Sequence, residues 1–117
     1  MDTTVEAAQR ELSRGTLELA ILALIEERPR YGYDLLTSLT DATDGAFGIK
    51  EGTLYPVLHR LEDAGSIEAS WQAEGRTAPR KYYSLTKSGK ERLALLSSEW
   101  RRLATGMDRL LDGGGKR

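Results

Sequence analysis

The fold is decided by residues 52–85, which read GTLYPVLHRLEDAGSIEASWQAEGRTAPRKYYSL. The first part of this stretch repeats leucine at helical spacing, at Leu54, Leu58 and Leu61. A proline costs a helix no internal hydrogen bond only in the first turn, so Pro56 predicts that the helix begins near Thr53, which would cap it. Gly65 is a natural C-terminal stop. We therefore predict a helix over residues 53–64.

The second part of the stretch has the pattern of a β-hairpin. Its apolar residues alternate with polar ones, as in a half-buried strand, at Ile67, Ala69, Trp71 and Ala73. Residues 81–85 predict a second strand, and residues 74–79 have the glycine, arginine and proline that are typical of an exposed hairpin tip. The order is therefore a helix followed by a two-stranded wing.

The residues before this stretch predict three further helices. A strong apolar pattern predicts a helix that is capped by Thr16 and ended by Pro29. A weaker pattern over residues 5–12 predicts a short separate helix that docks on another surface. A helix over residues 31–40, with Tyr33 on its apolar stripe, is followed by a turn at residues 44–48.

A long helix is predicted over residues 87–111. Its apolar residues are spaced three and four apart, and they form a seam at Leu93, Leu96, Trp100, Leu103, Met107 and Leu110. The chain then divides into an N-terminal helix with a winged domain (1–86), a dimerisation helix (87–112) and a flexible tail (113–117). A seam of this kind needs a partner surface, unless it packs back on its own chain.

Three helices followed by a hairpin is the order of a winged helix-turn-helix domain, so the predicted fold class is mainly α with a small β-hairpin. In such a domain the third helix fits the major groove of DNA, while the wing lies along phosphates or enters a minor groove. The side chains that are candidates for contact with double-stranded DNA lie off the apolar stripe or on the wing. They are Lys50, Thr53, Tyr55, Pro56, His59, Arg60, Arg76, Arg80 and Lys81.

The charge distribution favours the same interpretation. The net charge is only −1, but residues 1–75 hold 6 basic and 14 acidic side chains while residues 76–117 hold 11 and 4. Six bases and a single acid lie within residues 76–92, which is the local basic footprint that a phosphate backbone requires. The alternative is a solvated basic face that balances the acidic front half.

Several protein classes are excluded by composition. The chain has no cysteine, which removes disulfides, thiolate metal sites and thiol nucleophiles and fits a reducing cytoplasm. The longest apolar run, residues 19–25, is too short to span a membrane, and the acidic N-terminus does not resemble an export signal. His59 is the only histidine, so it forms neither a catalytic triad nor a convincing metal site. We expect no enzyme activity and no cofactor.

Five segments of the chain resemble the PadR family of bacterial transcriptional regulators, in the family's order. They are Gly15-Thr-Leu-Glu-Leu, Tyr31-Gly-Tyr-Asp-Leu, Gly52-Thr-Leu-Tyr-Pro, His59-Arg-Leu-Glu and Arg80-Lys-Tyr-Tyr-Ser-Leu-Thr. The resemblance covers roughly residues 12–111. It implies a winged-helix dimer that usually represses its own operon and is relieved by a small molecule, often an aromatic or cationic one.

Six of the nine candidate contacts have a structural alternative. Tyr55 could instead cover the domain surface, and Thr53 could serve only as a helix cap. Arg60 could pair with Glu62 or Asp63. Arg76 could be a solvated loop residue, and Arg80 or Lys81 could pair across the hairpin with Glu68 or Glu74. For the other family-matching tyrosines packing is favoured, and these are Tyr31, Tyr33, Tyr82 and Tyr83.

The resemblance implies that the seam pairs with the same helix of a second copy. Two-fold symmetry would then direct two recognition helices to successive major grooves of a pseudo-palindromic operator. Trp100 would lie near its own copy and could form a slot for a planar effector, or it could simply fill the dimer core. Two other functions remain open: a winged-helix protein-interaction module, and non-specific DNA binding without an effector.

Overall fold

The computed structural model describes residues 4–113, which form five helices and one three-stranded antiparallel sheet. The helices are α1 (Thr4–Ser13), α2 (Leu17–Glu27), α3 (Gly32–Asp41), α4 (Glu51–Asp63) and α5 (Lys87–Leu111). The strands are β1 (Arg30–Tyr31), β2 (Ile67–Gln72) and β3 (Arg80–Leu85), in the spatial order β1-β3-β2. The predicted winged fold with a long C-terminal helix is confirmed. Most of the predicted tail, residues 114–117, lies outside the described residues.

The core lies where α2, α3 and α4 meet the base of the sheet and the start of α5. Its side chains repeat at helical spacing on each helix, so that each helix turns one apolar face inward. The fully buried ones are Ile21, Leu22, Leu35, Leu39, Leu54, Leu58, Leu61 and Ile67. The leucine stripe that was predicted for the third helix is therefore the face that fixes α4 to the domain.

Strand β1 was not predicted, because it contains only two residues. It pairs with β3 through Arg30 opposite Tyr83 and Tyr31 opposite Tyr82. Arg30 is buried, and its guanidinium donates to the Leu24 carbonyl at 2.8 Å and to the Glu27 carboxylate at 2.6 Å. The buried guanidinium therefore binds the last turn of α2, and this helix ends ahead of Pro29 as predicted.

The hairpin of β2 and β3 extends beyond the hydrophobic core of the domain. Strand β2 pairs with β3 from Ile67 opposite Leu85 to Gln72 opposite Arg80. The predicted alternation of burial holds only at the base, since Ile67 is buried and Ala69 half-buried but Trp71 is 69% exposed. Residues 71–80 are all exposed, so the outer part of the wing projects into solvent.

The predicted start of the third helix is wrong. Helix α4 begins at Glu51 rather than Thr53, and Pro56 is its sixth residue. Lys50 is extended (φ −107°, ψ 165°) and its carbonyl accepts from the amides of Thr53 (2.9 Å) and Leu54 (3.0 Å). Two extra residues therefore extend the helix ahead of Thr53, although Pro56 has no amide hydrogen for the exposed Gly52 carbonyl. The predicted stop is confirmed, because Gly65 follows in a left-handed conformation (φ +81°).

The predicted cap of α2 is confirmed in its position but not in its hydrogen bond, and the predicted place of Tyr33 is wrong. Thr16 occupies the N-cap position of α2, but its hydroxyl donates back to the Leu12 carbonyl at 3.2 Å and makes no capping hydrogen bond with the first turn. Tyr33 is 65% exposed, because the buried stripe of α3 passes through Leu35 and Leu39. Thr86, by contrast, caps α5 by accepting from the Gly89 amide at 3.0 Å, and this helix starts and ends as predicted.

Candidate nucleic-acid interface

The predicted contact residues of the third helix lie outside the apolar stripe of α4. Thr53, Tyr55, Pro56, His59 and Arg60 are all exposed. At about 100° per residue, Pro56 points most nearly away from the leucine stripe, with His59 and Arg60 on either side of it. Tyr55 lies beyond His59 on one flank, and Thr53 lies beyond Arg60 on the other. The helix therefore presents one polar surface with two different borders.

Tyr55 forms the border of the α4 polar surface that faces α3 and the sheet. Its hydroxyl end lies against Gly32, the first residue of α3, so closely that a Cβ atom at Gly32 would overlap the ring. Partial burial, together with the nearby negative charge of Glu51, raises the pKa of the Tyr55 hydroxyl. The ring is 36% exposed. Tyr55 therefore holds the start of α4 against the start of α3 and still offers an edge to solvent.

Arg60 forms the opposite border, and its partner is not one of the acids proposed from the sequence. Its Nη1 lies 3.4 Å from Oε1 of Glu18 on α2. Glu62, two residues further along α4, points to nearly the opposite side of the helix and pairs with Lys81 at 3.4 Å. The expected alternative for Arg60 is therefore wrong, and Glu18 takes the place of Glu62 and Asp63.

Lys50, Thr53 and Arg60 come together on one side of α4. They line a cleft of about 560 Å³ that lies between α4, α1 and α2, and Glu18 forms part of its wall. Lys50 is exposed at the helix start, where the first amides of α4 point outward. Backbone amides beside a cation are an arrangement that attracts phosphate.

The bases of the wing differ in how firmly they are held. Arg80 stacks 4.5 Å above the centre of the Tyr31 ring and lies 3.9 Å from the Glu74 carboxylate, so one of the predicted pairings across the hairpin is present. Lys81 is half-buried beside Tyr83 and pairs with Glu62 on α4 instead of across the hairpin. Arg76 is exposed at the tip, and within residues 4–113 it forms no ion pair.

The seam of α5 turns from the core into solvent along its length. Leu93 is buried and Leu96 half-buried, whereas the exposed fractions reach 44% at Trp100, 60% at Leu103 and 72% at Leu110. Every side chain of α1 is exposed or half-buried, including Leu12 at 75%. In a single copy of the chain, therefore, α1 and the outer half of α5, from Trp100 onward, leave their apolar faces uncovered.

These two faces border one groove of about 860 Å³. Its walls are largely apolar, and they include Leu12, Leu19, Phe47, Trp100, Leu103 and Met107. Asp108 lies at its edge, whereas Glu99 is not part of the lining and pairs with Arg102 at 2.8 Å. Of these two acids near Trp100, only Asp108 is placed to meet a cation in the groove.

Three residues that position the side chains of the α4 surface were missed in the sequence. Glu18 and Arg92 are joined by a hydrogen bond from Arg92 Nε to Glu18 Oε2 of 2.9 Å, across 74 residues of chain. No periodic pattern signals a pair so distant in sequence. Gly32 lies inside the Tyr-Gly-Tyr segment that was quoted for its resemblance, and that glycine beside aromatic residues was the one available signal of a close approach.

Membrane-spanning helices and metal-binding clusters are both absent from the described part of the chain. No helix there is long and apolar enough to cross a bilayer. Residues 4–113 likewise contain no cluster of three or more acidic or histidine side chains that could hold a metal ion.

The family model, the related sequences and the similar solved structures all indicate one family. The model of the transcriptional regulator PadR-like family matches residues 21–95. An uncharacterised protein X of Lysinibacillus sphaericus is 39% identical over 103 residues, which are 88% of this chain and 94% of that one. A solved PadR family transcriptional regulator from Eggerthella lenta is 38% identical, with a TM-score of 0.78 over 92% of this chain and 91% of that chain.

A third similar protein is Bacillus subtilis PadR, described as a negative transcriptional regulator, which is 32% identical over 77 residues. The match covers 66% of this chain but only 42% of that protein. Its structure in complex with operator DNA aligns with a TM-score of 0.61 over 68% of this chain and 45% of that chain. The family model covers more than half of the chain, and the resemblance that the five segments carry is thereby confirmed. The protein belongs to the PadR-like family, whose members are transcriptional regulators and not enzymes.

Proposed function

We propose that this protein is a cytoplasmic homodimeric repressor that binds a pseudo-palindromic operator and responds to a small aromatic or cationic effector. The observation that carries the proposal is the apolar face that α1 and α5 leave uncovered beside a winged domain. A second copy of the chain would cover that face, and the two α4 helices would then be related by a two-fold axis.

The polar surface of α4 supports DNA as the partner of the winged domain. Its exposed side chains combine short polar groups, an imidazole and a guanidinium, which suit base edges and phosphates in a major groove. Arg76 extends from the wing tip, where a guanidinium could enter a minor groove. Operator DNA is the partner of Bacillus subtilis PadR, and that protein is a negative regulator. Repression is the mode of action that this relative supports.

The test is a titration of DNA upstream of the protein's own gene against a scrambled duplex of equal length, at several salt concentrations. A specific repressor binds the promoter about 10³-fold or more tightly than the scrambled DNA at physiological salt. Equal binding of both duplexes would instead identify a non-specific DNA-binding protein. Absence of binding to both would favour the protein-interaction module.

Arg76→Ala tests the wing within the same assay. Loss of one groove contact is expected to weaken operator binding by about 1 to 3 kcal/mol. Arg101→Ala removes the same charge from α5, where Arg101 bonds only to Ser97 among the described residues, and serves as the control. Equal losses in the two variants would mean that Arg76 contributes only general charge.

Tyr55 needs a gentler change, because its ring supports α4 as well as facing solvent. Tyr55→Phe keeps the ring atoms that lie beside Gly32 and removes only the hydroxyl. If that hydroxyl reaches a phosphate or a base, the operator affinity falls while the unfolding free energy changes by less than about 1 kcal/mol. Unchanged operator affinity would leave Tyr55 a packing residue.

The effector proposal rests on the groove between α1 and α5. Trp100 offers a half-open ring on one wall and Asp108 a carboxylate at the edge, which together suit a planar cation. Planar cations titrated into the Trp71→Phe variant should quench the fluorescence of Trp100 and lower operator affinity. The substitution removes the signal of Trp71, which is exposed on the wing. A flat response across a broad panel would indicate that Trp100 only fills the dimer core.

A further inference from the structure

One carboxylate connects the helix that is proposed to read DNA with the helix that is proposed to build the dimer. Glu18 of α2 accepts from Arg92 of α5 at 2.9 Å and from Arg60 of α4 at 3.4 Å. The Glu18 side chain is only 15% exposed, so it lies between the two helices and not on an open surface. Three elements therefore meet at a single pair of oxygen atoms.

The two arginines share this carboxylate unequally. Arg92 approaches with two nitrogens, Nε at 2.9 Å and Nη2 at 3.5 Å, in the side-on geometry that matches a guanidinium to a carboxylate. Arg60 contributes only Nη1 and keeps 59% of its side chain exposed. Since Arg92 already balances the charge of Glu18, Arg60 retains its positive charge and four of its five N–H donors for another partner.

We propose that Glu18 is a positioning residue for operator binding: it fixes the guanidinium of Arg60 at the border of α4, in a place set by Arg92 at the root of the dimer helix. This inference rests on the proposed DNA-binding function and extends it to a residue outside the polar surface of α4. Arg92 directly precedes Leu93, the first residue of the seam. The contact therefore links the orientation of α5 to the side chain that meets DNA.

The sign of the charge makes the proposal testable with Glu18→Gln. The substitution keeps the size of the side chain and removes one negative charge from the neighbourhood of DNA. General electrostatics alone would then strengthen binding to any duplex. Positioning predicts the reverse for the operator, a loss of about 10-fold or more, as is usual for a lost charge-assisted hydrogen bond, with no loss on scrambled DNA.

The control is Glu26→Gln, which removes the same charge from α2. Glu26 is exposed and, within residues 4–113, takes part in no ion pair. Its substitution should leave the preference for the operator unchanged. Thermal unfolding and sedimentation of both variants confirm that each is folded and has the same oligomeric state as the original chain.

A double-mutant cycle shows whether Glu18 acts through Arg60. In an Arg60→Ala background, Glu18→Gln should cause no further loss of operator affinity, because the side chain that it positions is absent. Additive losses would overturn the proposal. So would tighter operator binding by Glu18→Gln alone, since the carboxylate would then withhold Arg60 from DNA.

Two outcomes separate this inference from the proposed function. If the original chain shows no preference for its promoter, the proposed function fails. If the original chain prefers its promoter and Glu18→Gln keeps that preference in full, only the role of Glu18 fails. Should Glu18→Gln not fold, Arg92→Gln replaces it, with Arg101→Gln as the matched loss of charge on α5. A loss of operator preference confined to Arg92→Gln supports the proposal, and equal losses overturn it.

Discussion

Gly32 controls how closely the start of α4 can approach α3, because the Tyr55 ring occupies the space that a side chain would need. Gly32→Ala should therefore destabilise the fold by about 1 to 3 kcal/mol, as overpacking of a closed site does. Gly52→Ala is the matched control, since a Cβ atom there meets nothing within 4 Å. Chemical unfolding of both variants is the measurement. Equal free energies of unfolding would show that Tyr55 moves aside without cost.

Glu18 should make the stability of the protein depend on acid. The hydrogen bond from Arg92 lowers the pKa of the Glu18 carboxyl against the opposing effect of burial, and Arg60 lowers it further. The unfolded chain, with an ordinary glutamate pKa of about 4.3, takes up its proton first as the pH falls. The stability that Glu18 contributes is therefore complete above about pH 5 and is lost as the pH drops through the lowered pKa.

The pH dependence is measured by urea unfolding of the original chain and of Glu18→Gln between pH 7 and pH 3. The difference in unfolding free energy between the two should shrink toward acid pH. A constant difference over the whole range would mean that the carboxylate is no more acidic in the folded chain than in the unfolded one.

At the scale of the element, α4 carries a proline beyond its first turn. Pro56→Ala restores an amide donor toward the Gly52 carbonyl and removes the ring from the helix, so the free energy of unfolding should rise by about 1 to 3 kcal/mol. Differential scanning calorimetry detects a change of this size. A lower melting temperature would indicate that the ring of Pro56 is needed to seat the leucine stripe.

At the scale of the whole molecule, the uncovered face of α5 is the surface through which the proposed dimer would form. Leu103→Asp places a charge in the middle of the seam, where burial of an unpaired carboxylate is costly, and should convert the proposed dimer to monomer. Operator binding should fall with it. Leu95→Asp is the control, because Leu95 is 57% exposed on the same helix but lies off the seam. Sedimentation gives the oligomeric state of both variants. If Leu103→Asp were still a dimer, the assignment of the seam to the dimer interface would be contradicted.

The sequence by itself determined the elements and their order, because helical and strand periodicity are local properties of the chain. The leucine stripe of α4, the glycine stop after it and both ends of α5 were all readable in this way. The start of α4 was not, because the rule that keeps proline in the first turn predicted a start near Thr53, whereas the helix begins at Glu51 and leaves the Gly52 carbonyl without an amide donor from Pro56. Strand β1 was too short to form a pattern.

The tertiary structure alone decided which side chains meet. Glu18 joins partners 42 and 74 residues away, and Tyr55 closes on a glycine in another helix. Exposure was also decided in three dimensions: Tyr33 and Trp71 fit apolar patterns yet lie in solvent, because the core ends before it reaches them. Periodicity identifies the face on which a residue lies, whereas contact and burial depend on which distant segments fold against that face.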